Sequence, residues 1–370
     1  MKLGKSLTFL CLSTFLLTMG VGATIPAIAQ KVYSISFSNE LVSFVVGIWG
    51  LAFTILSAMS GLLINSFGRK RVAFLGLLGA SVSGFIMMLS NSIRMLALSR
   101  FLTGASEALV LNSFITTTSF ESLERREGSL GLLYASMGFG LFSGPFFYSY
   151  LFESDPKKGF FLLVALPLIS AFLLPPFPEE VLYEKRSYLS LKKITIPLMI
   201  SLLIGALEGY FQGAGIGLVR AWGHDPSEFS KVLSLYFAFS LTVQLMMPFM
   251  TRVLRADSWA VNFSLFTFFA SGLFILLKSK AFLFIFSSTF GASIAVCNVA
   301  LTSLVSELTS ENERAFAIGA SSSAYSLGYF ISPIFVSGFK DLNIGVFFMM
   351  ILLTLQAITI RFLLRPTNET

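Results

Sequence analysis

The sequence predicts an all-α polytopic membrane protein, with twelve transmembrane helices in two pseudo-symmetric six-helix halves. Three observations lead there: a composition too apolar for a water-facing surface, twelve apolar runs of spanning length, and a segment that repeats at about half the chain's length.

Composition sets the class. The 370 residues are 55% hydrophobic and only 12% charged, against roughly 25% charged in soluble domains. Forty-one phenylalanines and a mean hydropathy of +0.81 point the same way, because lipid accepts such side chains on a protein's outside and water does not. The net charge of +7 does not indicate nucleic acid as a partner: the basic residues form short clusters between apolar runs, with no basic face. Cys11 and Cys297 both lie in apolar runs, and the single histidine, His224, lies beside Asp225 in a polar loop. No metal-ligand or nucleophile–base spacing results. The sequence therefore predicts no catalytic residues, no metal and no cofactor, and excludes a membrane-embedded enzyme or receptor as the leading class.

A helix needs about 20 mainly apolar residues to cross the hydrocarbon core. Runs meeting that test lie near 6–29, 41–64, 72–90, 95–118, 129–152 and 159–177, then near 194–219, 229–250, 257–277, 281–306, 314–338 and 343–364. The longest link between runs, Pro175–Lys193, is polar and proline-rich and falls at the chain's midpoint. The predicted organisation is thus a six-helix bundle over 1–177, a linker over 178–193, and a second bundle with a short tail over 194–370. Residues 1–29 also admit a signal-peptide reading, with Lys2 and Lys5 before an apolar run and Ala27-Ile28-Ala29 as a cleavage-like site. The run is nevertheless long enough to span, and removing it would leave an odd number of helices.

Orientation follows from lysine and arginine. With the N-terminus inside, 16 of the 26 basic residues fall on the cytoplasmic side and nine on external loops and helix ends, Arg100 lying within a helix. The expectation is a cell-membrane protein with both termini and the midpoint linker in the cytoplasm.

The repeat completes the fold class. Arg126–Phe147 aligns without gaps to Arg314–Phe335 at an offset of 188. Identities fall at Arg126/Arg314, Gly131/Gly319, Gly140/Gly328, Phe142/Phe330, Pro145/Pro333 and Phe147/Phe335. These are the fifth and eleventh spans, each the fifth of its half. Apolar helices rich in Gly, Ser and Phe resemble one another, but the half-length offset and the shared arginine favour duplication. Transporters built from repeats hold substrate near the midplane between them and rock one half against the other. Glycines such as Gly140, Gly144 and Gly328 let helices approach closely, and interior Pro145 and Pro333 each free a carbonyl and bend the helix.

Several motifs are similar to those of one family. The link between the second and third spans, Gly61–Arg71, resembles the signature loop G-x-x-x-D-[RK]-x-G-[RK]-[RK] of the major facilitator superfamily: Gly61, Gly68, Arg69 and Lys70 match, while Asn65 replaces the acid and Ser66 the first base. Arg100–Gly104 resembles the family's R-x-x-x-G in the fourth span. Gly140-Leu-Phe-Ser-Gly144-Pro145 resembles the G-x-x-x-G-P motif of proton-driven efflux members, although Tyr148 and Ser149 stand where a glycine pair normally follows. Pro26 near the outer end of the first span also fits. The resemblance implies a monomeric secondary transporter, an antiporter in its nearest motif, with a small-molecule substrate, a proton or sodium as coupling ion, and lipid around it. It also implies a gate at the loop of Gly61, Asn65, Gly68, Arg69 and Lys70. In the family the acid latches that gate; Asn65 can hydrogen-bond a helix N-terminus but brings no charge. A purely topogenic basic loop is the alternative.

Intramembrane charge marks the candidate site. A central charge costs roughly 2.5–3.5 kcal/mol to insert even on the lenient scale, and so normally faces a partner or a cavity. Glu107 lies about 12 residues into the fourth span, roughly 18 Å deep, near the middle of a ~30 Å core. Glu208 lies in the seventh span, and Arg100 sits on the Glu107 face about 10.5 Å away along the axis. The resemblance puts the first, fourth, seventh and tenth spans around the cavity, which places Glu107, Arg100 and Glu208 on it. Alternating access would then move Glu107 between environments and couple proton release to substrate. The alternatives are that both glutamates only hydrogen-bond to neighbouring helices and that Arg100 anchors the interface. The glycines of the seventh span, from 205 to 217, read as packing and hinge positions. Proton-coupled export is the leading reading, and an importer or symporter of a small metabolite on the same fold is the runner-up.

Overall fold

A computed structural model of the chain describes residues 4–121, 123–150, 155–174, 191–221, 226–250, 280–337 and 351. The expected span at 257–277, all of that at 343–364 but residue 351, and all but the last three residues of the 178–193 linker lie outside them. The described residues form helices and no strand: α1 (Gly4–Ser36), α2 (Asn39–Phe67), α3 (Arg69–Leu89), α4 (Ile93–Ser119), α5 (Leu123–Tyr150), α6 (Pro156–Phe172), α7 (Leu191–Ala221), α8 (Pro226–Met250), α9 (Lys280–Glu307) and α10 (Glu311–Ser337). Here α9 and α10 are the tenth and eleventh expected spans. Most helices run past the apolar stretches that predicted them, since helix continues from hydrocarbon into the polar interface. The run near 159–177 is the main change of register. Its helix starts earlier, at Pro156 behind the N-cap Asp155, which accepts from Lys157 N at 3.0 Å, and ends at Phe172.

Among the described residues, six stretches are long and apolar enough to cross a membrane by length and composition; α4 is not among them. It carries Arg100, Glu107, Asn112 and a Thr116–Ser119 run, and all of its residues from Ser106 to Ser119 except Leu109 are buried. Neighbouring helices and its own carbonyls meet part of that polarity: Thr103 shares a 2.9 Å hydrogen bond with Ser83 of α3, and Asn112 Nδ2 donates to Ser60 Oγ of α2 at 3.0 Å, while Arg100 Nε, Asn112 Oδ1 and Thr116 Oγ1 are buried without a hydrogen-bond partner among the described residues.

In the N-terminal part α1 packs on α5 and α6, α2 on α4, and α3 on α4 and α6; further along, α7 packs on α10 and α8 on α9. The two parts meet through α2 on α10 and α5 on α8. The expected helix-packing glycines sit at these contacts. A Cβ at Gly140 would stand 2.8 Å from Met19 N of α1, and one at Gly328 would stand 2.7 Å from Ala206 N of α7. Gly144 lies against Gly22 of α1, and Pro145 Cδ lines the same contact. Tyr148, where the family motif has glycine, donates its hydroxyl to Gln30 Oε1 of α1. Pro333 falls within α10.

Gly68 makes the loop between α2 and α3 possible. It has φ 84°, its N–H closes α2 on Ile64 O at 2.9 Å, and α3 starts at the next residue. A turn with no spare residue needs this left-handed conformation, which glycine adopts without a Cβ penalty.

Candidate functional site

Polar groups converge near the middle of the helices. Glu107 of α4 is 2% exposed, Arg100 3% and Glu208 of α7 7%. The indole Nε1–H of Trp49, on α2, donates to Glu107 Oε2 at 2.8 Å. Arg100 Nη1 donates to Thr24 Oγ1 of α1 at 3.2 Å, and its Cζ lies 5.9 Å from the Trp49 ring centroid. Arg100 and Glu107 interact electrostatically, and Trp49 touches both, Glu107 through its N–H and Arg100 through its ring.

Glu208 has a different setting. Tyr325 of α10 donates its hydroxyl to Glu208 Oε2, and Tyr236 of α8 hydrogen-bonds to the same carboxylate. Behind them Phe211, Tyr236, Phe286 and Phe290 pack with ring centroids 5.2–5.7 Å apart. The two carboxylate environments join through Tyr329, one turn beyond Tyr325. Its ring meets Trp49 edge-on at 5.9 Å and stacks with Tyr325 at 6.5 Å.

Two close helix contacts hold the aromatic donors. Gly104, the glycine of the R-x-x-x-G motif, sits against the Trp49 backbone, and Gly291 of α9 sits against the Tyr236 backbone. In each case a Cβ would stand 3.1 Å from the aromatic residue's Cα. Trp49 to Tyr236 and Gly104 to Gly291 are both 187 positions apart. Of the α7 glycines, Gly205 and Gly209 press on the backbones of Tyr325 and Tyr329, so they serve as packing positions there.

At the basic end of the bundle the signature loop meets α10. Gly61 lies against the Ala315–Phe316 backbone, where a Cβ would stand 2.7 Å from Phe316 N. Asn65 reaches the first turn of α10 as a donor, Nδ2 to Asn312 O at 3.5 Å, whereas the sequence suggested that it would accept from that turn. Two guanidinium groups pack on the Phe120 ring at the end of α4: Arg69 and Arg314 each stand 4.9 Å from its centroid. Arg314 Nη1 also donates to Ser119 O at 3.2 Å. Its repeat partner Arg126 interacts electrostatically with Glu307 at the end of α9, and Ser119 and Glu307 are again 188 positions apart. Lys70 is exposed.

The structure thus brings Arg100 and Glu107 together around Trp49 and places Glu208 on the far side of an aromatic bridge. Sequence reasoning missed Trp49, Tyr236, Tyr325, Tyr329 and Phe120. The repeat carries a signal for two of them, since an offset of 187, one position short of the repeat's 188, lays Trp49 over Tyr236. Among the described residues no group of three His, Cys, Asp or Glu side chains is placed to hold a metal ion.

Comparison with known proteins gives a consistent result. The family model for the Major Facilitator Superfamily matches residues 10–333. The chain is 24% identical to Multidrug resistance protein 1 of Bacillus subtilis, over 93% of this chain and 92% of that protein. It is 22% identical to Quinolone resistance protein NorA of Staphylococcus aureus, with 92% of each covered. Among solved structures, the human organic anion transporter MFSD10 (TETRAN) superposes with a TM-score of 0.84 at 14% identity, over 97% of this chain and 100% of that one.

Proposed function

The chain belongs to the Major Facilitator Superfamily, whose members are transporters and not enzymes, and on that premise we propose that it is a proton-coupled exporter of small, largely apolar or cationic compounds. The observation that carries this reading is Glu107: a buried carboxylate at mid-helix, held by a neutral indole N–H, with a buried arginine on its own helix. A carboxylate so placed has a large energetic response to protonation, because its charge is poorly solvated and each partner favours one protonation state. Similarity over nearly the full length to multidrug and quinolone resistance proteins supports export and cargo of that kind.

The proposed architecture is twelve helices in two repeats, 1–177 and 194–370, joined by a cytoplasmic linker at 178–193, acting as a monomer with both termini in the cytoplasm. The matched contacts of Gly140 with α1 and Gly328 with α7, and of Gly104 with Trp49 and Gly291 with Tyr236, support the repeat. Glu107 takes up and releases the coupling proton. Arg100 and Glu208 face the same central region, and the contacts of Gly61, Asn65 and Arg69 with α10 and the end of α4 form the cytoplasmic gate. In inverted vesicles under an imposed pH gradient, the wild-type chain should accumulate a cationic dye. Glu107→Gln should not, and Glu107→Asp should retain part of the rate. Wild-type accumulation by Glu107→Gln would leave that carboxylate a structural hydrogen-bond acceptor. Labelling of Lys185→Cys from the outside would reverse the topology.

A further inference from the structure

We propose that Tyr329 couples the two buried carboxylates, so that the protonation state of Glu107 is felt at Glu208 through ring packing. The proposal rests on the proton-coupled reading above and adds a positioning residue to it. Its basis is a continuous chain of contacts across the helices. Glu107 accepts from Trp49; the Trp49 ring meets Tyr329 at 5.9 Å and 75°; Tyr329 stacks on Tyr325 at 6.5 Å and 29°; and the Tyr325 hydroxyl donates to Glu208. Each end of that chain is a polar hydrogen on a carboxylate, and each intermediate link is a ring.

A hydrogen bond to an ionised carboxylate is roughly twice as strong as one to a neutral acceptor. Protonating Glu107 therefore loosens the tether on the Trp49 indole. The edge-to-face contact with Tyr329 depends on the indole's orientation, so Tyr329 must adjust when the indole does. The backbone under Tyr325 and Tyr329 cannot follow, because Gly205 and Gly209 of α7 press directly on it; a Cβ at Gly209 would stand 2.6 Å from Tyr329 Cα. The adjustment is thereby confined to side chains and passes to Tyr325, the donor of Glu208. Trp49, Tyr325 and Tyr329 are only partly buried, which leaves their rings room to move. Among the described residues the ionisable groups facing Glu107 are Arg100 on its own helix and Tyr329 on α10; those facing Glu208 are Tyr236 on α8 and Tyr325 and Tyr329 on α10.

The chain has three tryptophans, at 49, 222 and 259, so Trp222→Phe with Trp259→Phe leaves Trp49 as the sole indole. Its emission in the purified full-length protein, without substrate, should titrate with pH, and Glu107→Gln should abolish the transition. With Glu107 kept, Glu208→Gln should move the midpoint by about half a pH unit or more, the size expected for residues coupled through shared contacts. Tyr329→Phe keeps the ring and should keep that shift; Tyr329→Leu, or Tyr329→Met if the leucine variant does not fold, should erase it. An undiminished shift in Tyr329→Leu means that the carboxylates interact directly through space and overturns the proposal, as does an emission that ignores Glu107 or Glu208. The two readings fail separately. Gradient-driven transport by Glu107→Gln sinks proton coupling and leaves the optical coupling standing, whereas a Tyr329-independent shift sinks only the role of Tyr329.

Discussion

Early in the chain, Glu107 takes its hydrogen bond from an indole on α2; later, Glu208 takes its hydrogen bonds from tyrosine hydroxyls on α8 and α10. The donors Trp49 and Tyr236 are 187 positions apart and each rests on a glycine, Gly104 or Gly291, at the same offset. The acids do not follow that rule. At 187 positions from Glu107 stands Ile294, and at 187 positions from Glu208 stands Val21. Both are buried and apolar. The scaffold that aims an aromatic donor inward is repeated, while the charge it serves was placed separately on each side, on α4 in one case and α7 in the other. Packing geometry tolerates copying because it depends on small residues at a helix contact. A buried charge does not, because each copy needs its own partners.

The largest test of this difference is functional. Glu107→Gln should abolish gradient-driven dye accumulation in inverted vesicles, whereas Glu208→Gln should retain a measurable part of it; equal loss in both would make the two acids one functional unit. Next comes the donor. Trp49→Phe removes the N–H on Glu107, a hydrogen bond to a charged group worth about 1.5–3 kcal/mol, while Tyr325→Phe leaves Tyr236 on Glu208 and should cost about 1 kcal/mol. Thermal melting of the purified protein orders the two, and a larger loss in Tyr325→Phe would contradict the assignment of two donors to Glu208.

The repeated scaffold itself predicts parity. Gly104→Ala and Gly291→Ala each press a methyl against an aromatic residue's backbone, and overpacking of this kind costs about 1–3 kcal/mol. The two melting temperatures should fall by similar amounts, and a silent Gly291→Ala would break the equivalence. Thr24→Val removes the hydrogen bond that the charged Arg100 donates to α1, a loss of about 1.5–3 kcal/mol. That loss should appear as non-additivity when the melting of Thr24→Val, Arg100→Ala and the double variant is compared.

By itself the sequence determined the class, the helices of the described residues and the unusual charges. A run of some 20 apolar residues has few options in lipid other than a helix, and the cost of a central charge singles out Arg100, Glu107 and Glu208 wherever the helices go. Gly68 was legible in the loop motif, and its φ of 84° shows why that position is glycine. What only the tertiary structure decided is which side chains meet. Trp49, Tyr325, Tyr329 and Phe120 are aromatics in a chain with 41 phenylalanines, 10 tyrosines and three tryptophans, and nothing local separates a ring facing lipid from one bonded to a carboxylate. Their roles depend on helix rotation and on contacts between residues as distant as Trp49 and Tyr329. Rotation is set by close approaches such as Gly104 on Trp49 and Gly209 on Tyr329, where the absence of a Cβ lets one helix settle onto another's backbone. Such contacts join two distant stretches, so neither stretch alone records them.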